Sequence, residues 1–161
     1  MIQTQESRAQ DSHRERWPEL LEIASREVFQ LMLGSELQPF DESSAGATLD
    51  CTAMVGLAGR MCGVLTVRCQ PECAVRIASR MLRLESPASE EEALDAIGEV
   101  CNMIGGNFKN KIAGLSEACV LSAPTVVVGG EYRVHCLAAH SVHKVFQFEG
   151  APISIALELR R

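Results

Sequence analysis

The amino-acid sequence predicts an α+β domain, in which a largely antiparallel sheet is covered by helices. Apolar residues recur at helical spacing in three separate segments, and alternation of apolar and polar residues, typical of half-buried strands, fills much of the remaining chain. In chain order the predicted elements run α-β-β-α-α-β-β-β-β. Strands that follow one another in groups, without strict alternation with helices, favour the α+β class. The 161 residues suffice for one such domain with a sizeable core.

The first predicted helix begins near Trp17, with Pro18 in its first turn, and ends near Gly34. Residues 1–16 are rich in charge and poor in apolar side chains, so we expect a flexible N-terminal tail followed by a single domain over 17–161. Residues 35–46 predict a loop. The alternating stretch 47–57 predicts a strand, and a turn at 58–60 leads into a second strand over 61–69.

A short helix is predicted over 71–84, with Ala74, Ile77, Ala78, Met81 and Leu82 facing inward. A long helix then extends to about Gly114, and Ser89 followed by Glu92 is the pattern of a capping box at its start. Four strands are predicted after it, over 118–128, 131–139, 143–149 and 152–160. Gly129-Gly130 and Gly150 predict tight turns between strands.

Composition excludes several classes of protein. The net charge of −6 without a basic stripe argues against a nucleic-acid-binding surface. No apolar run approaches the roughly 20 residues of a membrane span. The polar, mixed-charge N-terminus does not resemble a secretory signal, so we expect a cytoplasmic protein.

The seven cysteines predict neither disulfides nor a metal site. Their number is odd and no CxxC pair occurs, so we expect reduced thiols that behave as small buried hydrophobes. Cys69 and Cys73 together with His135, His140 and His143 are spaced unlike any common zinc site. We therefore expect this chain to bind no metal of its own.

The long helix carries two stripes at about 100° per residue. An acidic and amide stripe, formed by Asp95, Glu99, Asn102 and Gly106, points nearly opposite the apolar one and therefore toward solvent. A solvated outer face is the ordinary interpretation of such a stripe. Asn102 is nevertheless an unhelpful choice for an exposed helix position, and Gly106 clears side chains away so that another backbone can approach. The apolar stripe consists of Leu94, Ile97, Cys101, Ile104, Phe108, Ile112 and Leu115.

Three glycines make the same helix unusual. Gly98, Gly105 and Gly106 each cost about 1 kcal/mol of helix stability relative to alanine. Local inconsistency of this kind is typical of functional sites. Gly105 lies nearer the buried side than Gly106, where it would permit close packing against the sheet.

These residues resemble a known family. The spacing Asp95-x3-Glu99-x2-Asn102, followed by MIGGN and later by APTVVVGG, is similar to the motif of the CheC/CheX/FliY chemotaxis phosphatases. The motif ends in a distant proline, whose counterpart here is Pro124. CheC-type members carry a second site on an earlier helix, but the first helix here has no Glu-x2-Asn, so the chain resembles the CheX-like branch with one site and the CheX-like fold.

The resemblance implies an activity, namely removal of the phosphoryl group from the phospho-aspartate of a CheY-like response regulator. It implies that Asn102 orients the attacking water and that Glu99 pairs with a lysine of the regulator. Asp95 would make peripheral contacts, and Gly105 and Gly106, with Pro124, would let the partner approach closely. The Mg²⁺ would belong to the regulator, so no cofactor is expected on this chain.

Two alternatives remain open beside the phosphatase. A binding module can dock a receiver domain without hydrolysing its phosphate, since fold and docking surface outlive activity. A structural component of a switch complex would instead use its sheet edge for assembly. The resemblance also implies a homodimer formed through the sheets.

Overall fold

The computed structural model describes residues 15–40, 46, 48–130, 132 and 134–160. Helix α1 spans Trp17–Val28 and continues as a π-helical turn over Phe29–Leu33. Helices α2 and α3 span Pro71–Met81 and Glu90–Asn110. The strands are β1 at Gln38–Pro39, β2 at Cys51–Gly59, β3 at Gly63–Cys69, β4 at Cys119–Leu121, β5 at Thr125–Val128, β6 at His140–Phe148 and β7 at Ala151–Leu159.

The seven strands form one sheet, and every neighbouring pair is antiparallel. The order is β1-β6-β7-β3-β2-β4, and β5 also pairs with β2, so β4 and β5 share one edge of the sheet. The predicted α+β class with a largely antiparallel sheet is confirmed.

The core lies between the helices and one face of the sheet. Alternate residues of β2, such as Ala53 and Val55, are fully buried and lie opposite Val67 and Leu65 of β3. Because side chains directly opposite each other share a face, the same face continues into Ile155 of β7. The resulting core cluster includes buried residues from all three helices and from both long hairpins.

The chain after β5, over 129–139, contacts the second face of the sheet through Tyr132. At its start the Gly129 N–H donates to the carbonyl of Asp50. The Tyr132 hydroxyl then donates to Thr52 Oγ1, on the side of β2 that faces away from the helices. At its end the Ala139 N–H donates to the carbonyl of Leu159 in β7. The described part of this segment contains no strand, so the strand predicted over 131–139 is wrong.

Several other observed bounds of helices and strands differ from the predicted ones. The strand predicted over 118–128 is split into β4 and β5 around Pro124, which has no N–H to donate to a ladder. Leu82 is half exposed because α2 ends at Met81, so its predicted inward position is wrong. The predicted turn at Gly150 is confirmed: Glu149 and Gly150 both have positive φ, as a type I′ hairpin requires.

The described residues of the predicted tail and of the predicted loop over 35–46 lie mostly outside the helices and strands of the structure. Residues 1–14 of the predicted flexible tail are outside the described residues, and residues 15 and 16 form a turn before α1. The loop predicted over 35–46 contains the two-residue strand β1, which pairs with β6. No helix among the described residues is long and apolar enough to cross a membrane.

Candidate functional site

Helix α3 is firmly anchored at its start and along one side. The Ser89 hydroxyl accepts from the Glu92 N–H at 3.2 Å, and the Glu92 carboxylate accepts from the Ser89 N–H at 2.7 Å. This confirms the predicted capping box, and the hydrogen bond from the Ser89 N–H to the Glu92 carboxylate is the main cause of the lowered pKa of Glu92. The inner stripe of Ile97, Cys101 and Phe108 is fully buried against the sheet.

The opposite side of α3 presents the polar stripe to solvent. Asp95 and Glu99 are exposed, and Asn102 and Gly106 are partly exposed. Within the described part of the chain, the side chains of Asp95, Glu99 and Asn102 take part in no hydrogen bond or ion pair. Two carboxylates and an amide are therefore held on a rigid element with their polar atoms free for another molecule.

Pro124 borders this stripe because of close packing at Gly98. A Cβ atom at Gly98 would lie 3.4 Å from Pro124 Cβ and 3.4 Å from Val126 Cγ2, so the absence of a side chain lets the β4–β5 connection lie directly on the helix. Gly98 is three residues after Asp95 and four before Asn102, which places exposed Pro124 beside both. The structure thus brings Pro124 to the site although 21 residues or more separate it from the helical motif.

The β4–β5 connection is held in place by Ser122. Its hydroxyl accepts from the Gly56 N–H at 2.8 Å, and its own N–H donates to the Gly56 carbonyl at 2.9 Å. A side-chain oxygen therefore replaces one backbone partner at the break between β4 and β5. This fixes Pro124 at the rim of the polar stripe.

The glycines at 105 and 106 have different environments. Gly105 is buried, and a Cβ there would lie 3.4 Å from Leu65 Cδ2 and 3.5 Å from Leu121 Cδ1. Gly105 therefore permits close packing of α3 on the sheet, and its expected role as a partner contact does not fit its position. Gly106 faces outward, with only Leu121 Cδ1 at 3.9 Å from a Cβ atom, so it leaves open space beside Asn102.

Asn107 has a role that the sequence did not reveal. Its amide donates to the Ala24 carbonyl at 3.3 Å and to Glu27 Oε2 at 2.8 Å, and Lys111 Nζ pairs with the same carboxylate at 2.6 Å. These contacts join α3 to α1 and lower the pKa of Glu27, chiefly through Lys111. The only sequence signal was an asparagine one position beyond the exposed stripe, on the side that faces α1.

The acidic residues of α1 serve structural contacts. Glu22 pairs with Lys144 and with Arg26, each at 3.0 Å, and the hydrogen bond from Lys144 is the main cause of the lowered pKa of Glu22. Glu27 is engaged by Asn107 and Lys111 as described. The third carboxylate of this helix, Glu19, lies 3.7 Å from Arg16 Nε, so all three are engaged within the fold.

A metal site is not evident in the part of the chain that the structure describes. No three His, Cys, Asp or Glu side chains there are placed to hold a metal ion. The seven cysteines are free thiols, five of them buried. His143, considered above as a zinc ligand, instead hydrogen-bonds Ser154 Oγ through Nε2 at 2.8 Å.

Known proteins with similar sequences and structures include several chemotaxis proteins. A curated relative, the CheY-P phosphatase CheX of Thermotoga maritima, is 32% identical over 82 residues, which are 50% of this chain and 53% of the relative. The matched segment therefore spans about half the length of that relative.

Two solved structures show the same fold. The chemotaxis protein CheX from Vibrio vulnificus is 21% identical and matches with a TM-score of 0.75, covering 91% of this chain and 98% of that chain. The CheX component of a CheX-CheY-BeF3-Mg²⁺ complex from Borrelia burgdorferi is 20% identical, with a TM-score of 0.73 and coverages of 89% and 97%.

The family model described as "Chemotaxis phosphatase CheX" matches residues 51–147. The match covers more than half of the chain and includes β2, β3, all of α3 with its polar stripe, and Pro124. The chain belongs to the CheX family of chemotaxis phosphatases.

Proposed function

We propose that this chain is a phosphatase that hydrolyses the aspartyl phosphate of a CheY-like response regulator by docking α3 against the regulator's phosphorylated site. The observation that carries the proposal is the exposed stripe of Asp95, Glu99 and Asn102, whose polar groups have no partner within the described residues. Membership of the CheX family supports the reaction, and the relative from Thermotoga maritima is named a CheY-P phosphatase.

Asn102 is suited to position the attacking water. The reaction converts an aspartyl phosphate and water into the aspartate carboxylate and inorganic phosphate, and it depends mainly on positioning and charge stabilisation. A carboxamide accepts a hydrogen bond from water through its oxygen and donates through its nitrogen. In the proposed complex the Asn102 oxygen holds the water in line with phosphorus while the NH₂ group fixes the orientation of the amide.

Glu99 has a different role, because a carboxylate placed against the anionic phosphoryl group would be repelled. We assign it to an ion pair with a lysine of the regulator, which fixes the position of α3 on the partner. Asp95, one turn earlier, adds a peripheral polar contact. Gly106 and Pro124 shape the two sides of Asn102, the first by leaving space for a partner loop and the second by forming a rigid apolar rim.

The divalent metal belongs to the regulator in this proposal. The Borrelia burgdorferi complex is one of CheX with CheY, BeF3 and Mg²⁺. Bound to the regulator, Mg²⁺ would offset phosphoryl charge. Because receiver domains of this type act inside the cell, we also place the chain in the cytoplasm.

The test is loss of phosphate from phosphorylated receiver domains of the same organism, followed with Mg²⁺ present and the chain in substoichiometric amounts. We expect one receiver to lose its phosphate faster, with more than one turnover per chain. If a phosphorylated receiver binds tightly but keeps its phosphate, the chain is a docking module. If no receiver binds, both readings of the α3 face are wrong.

A further inference from the structure

Three thiols converge at a place that the proposed phosphatase reaction does not use. Cys51 begins β2, Cys69 ends β3, and Cys73 lies in the first turn of α2. All three are buried and reduced. Cys69 lies directly opposite Cys51 in the β2–β3 ladder and four residues before Cys73, so it is the centre of the group.

The backbone places Cys51 and Cys69 within reach of a disulfide. They are directly opposed in the antiparallel β2–β3 ladder. Opposed residues in such a ladder have Cα atoms about 4.5 to 5.5 Å apart, inside the range of about 4.4 to 6.8 Å found for disulfides. Their side chains share the face of the sheet that is covered by helices, so no change of strand register is needed to join them.

The two sulfur atoms differ in chemical character. The hydrogen bond with Cys69 lowers the pKa of the Cys51 thiol, despite burial, and hydrogen bonds with both neighbours raise the pKa of Cys69. A lowered pKa favours the thiolate, which is the nucleophilic form. The pKa of Cys73 is also lowered, with Cys69 again as the main cause, so access from the surface decides which of the two thiols reacts first.

A small apolar cavity reaches Cys51 from the surface. Its volume is about 150 Å³, and its walls include Cys51, Ala74, Leu94 and Val128. Val128 is 46% exposed, so it lies at the cavity mouth. Neither Cys69 nor Cys73 lines the cavity. A molecule of the size of hydrogen peroxide fits this space, whereas a bulky disulfide reagent does not.

We propose that Cys51 and Cys69 form a reversible disulfide site for small peroxides. The Cys51 sulfur attacks one peroxide oxygen, an S–O bond forms, the O–O bond breaks, and the departing hydroxide takes a proton to become water. The Cys69 sulfur then attacks the Cys51 sulfur, an S–S bond forms, the S–O bond breaks, and the departing hydroxide takes the Cys69 proton to leave as a second water. The two thiols together lose two electrons, which the peroxide gains, and a dithiol reductant reverses the change by exchange.

Peptide mapping tests this directly, because trypsin separates the candidate pairs. Cys51 falls in the peptide 27–60, whereas Cys69 and Cys73 share the peptide 69–76. After treatment of the full chain with a slight excess of hydrogen peroxide and alkylation of free thiols, we expect the two peptides joined by one bond. Reduction of the joined peptides with a dithiol should separate them, and reduction before alkylation should restore all seven thiols.

Two variants and a control separate this site from general oxidation. Cys51→Ala should abolish the cross-link, and Val128→Trp, which covers the cavity mouth without altering a thiol, should slow it by about tenfold or more. Cys101→Ala is the matched control. Cys101 is buried in the same core, its thiol bonds only backbone carbonyls, and burial raises its pKa to about 12. It should leave the cross-link unchanged.

Three outcomes would overturn the proposal. One is a loop within peptide 69–76, which would make Cys73 the partner of Cys69. Another is reaction confined to exposed Cys62 while peptides 27–60 and 69–76 remain separate. The third is an unchanged rate in Val128→Trp with its fold intact by thermal melting, which would exclude the cavity as the route to Cys51.

Discussion

Asn102 and Glu99 lie one turn apart on α3, yet their proposed tasks predict different losses. Asn102→Ala removes the group that positions water but leaves the rest of the docking face intact. We expect the maximal rate of phosphate loss to fall by about 10² or more while binding of the phosphorylated receiver changes little. The measurement is single-turnover phosphate loss across a range of chain concentrations.

The matched control is Asn110→Ala, which makes the same chemical change on the same helix. Asn110 is exposed and accepts a hydrogen bond from Ser116, away from the polar stripe. It should keep full activity. A full maximal rate in Asn102→Ala would refute the water-positioning role, and unfolding of that variant would show that the stripe is structural.

Glu99→Gln tests the ion pair with the partner. We expect weaker binding of the receiver, and a smaller dependence of binding on salt than in the unmodified chain, because one charge pair at the interface is lost. Titrations at low and high salt measure both effects. Glu117→Gln, an exposed change after α3, should alter neither. Equal salt dependence in Glu99→Gln and the unmodified chain would contradict the assignment.

Sequence spacing alone identified which residues of α3 share the exposed stripe, because helical geometry fixes their directions. It placed Gly105 nearer the buried side than Gly106, but it did not identify the residues that pack against Gly105, and it did not explain Asn107. The role of Gly105 depends on its close packing against Leu65 and Leu121, and that of Asn107 on its hydrogen bond to Glu27 of α1. Such partners are distant in sequence and come together only in the folded chain.

At the level of elements, the glycines of α3 differ in their surroundings: Gly98 is closely packed within the fold, whereas Gly106 is open toward the proposed partner. Gly106→Ala should stabilise the fold by up to about 1 kcal/mol through helix propensity, yet slow dephosphorylation by adding a methyl group beside Asn102. Gly98→Leu should destabilise by about 1 to 3 kcal/mol, since the new side chain must displace Pro124 and Val126. Chemical denaturation and the phosphate assay distinguish the two. Loss of stability in Gly106→Ala would mean that its outward side is not open.

The contact between α1 and α3 predicts a dependence of stability on pH. The pKa of Glu27 in the folded chain is lowered from 4.5, mainly by Lys111, so the unfolded chain binds its proton first on acidification. The stabilisation is present above about pH 4.5 and is lost as the pH falls through the lower folded pKa. We expect Glu27→Gln to reduce the fall in unfolding free energy between neutral and acid pH.

Urea titrations at several pH values check this expectation, with Glu36→Gln as the comparison. Glu36 is exposed and forms no ion pair in the described part of the chain. The prediction is wrong if both variants follow the unmodified chain at every pH.

Strands and helices were predictable from the sequence where burial of one face imposed a regular spacing of apolar residues. Thus β2, β3 and β7 alternate and were predicted, and the start of α3 was marked by its capping box. The sequence 131–139 also alternates, but its described residues form no strand. Val134 is 39% and Leu137 78% exposed, so the alternation there is not matched by burial of one face, and the sequence alone cannot distinguish such a segment from a strand.

For the whole molecule, the exposed sheet edge predicts self-association. Among the described residues, the strands β4 and β5 pair with β2 alone, and Val120 is 67% exposed on β4. An edge of this kind pairs readily with a second copy, so we expect a homodimer. Light scattering at tens of micromolar should give twice the monomer mass, and Val120→Lys should reduce it. A monomeric mass for the unmodified chain would contradict the prediction.

The central place of β7 governs the order in which the fold can be completed. It pairs with β3 on one side and with β6 on the other, so the hairpin β2–β3 and the hairpin β6–β7 are joined in the sheet only through the β3–β7 ladder. During synthesis one edge of β3 therefore stays without its partner strand until residue 159 has left the ribosome. Such late, long-range closure slows folding and lengthens the time for which strand edges are open to other chains.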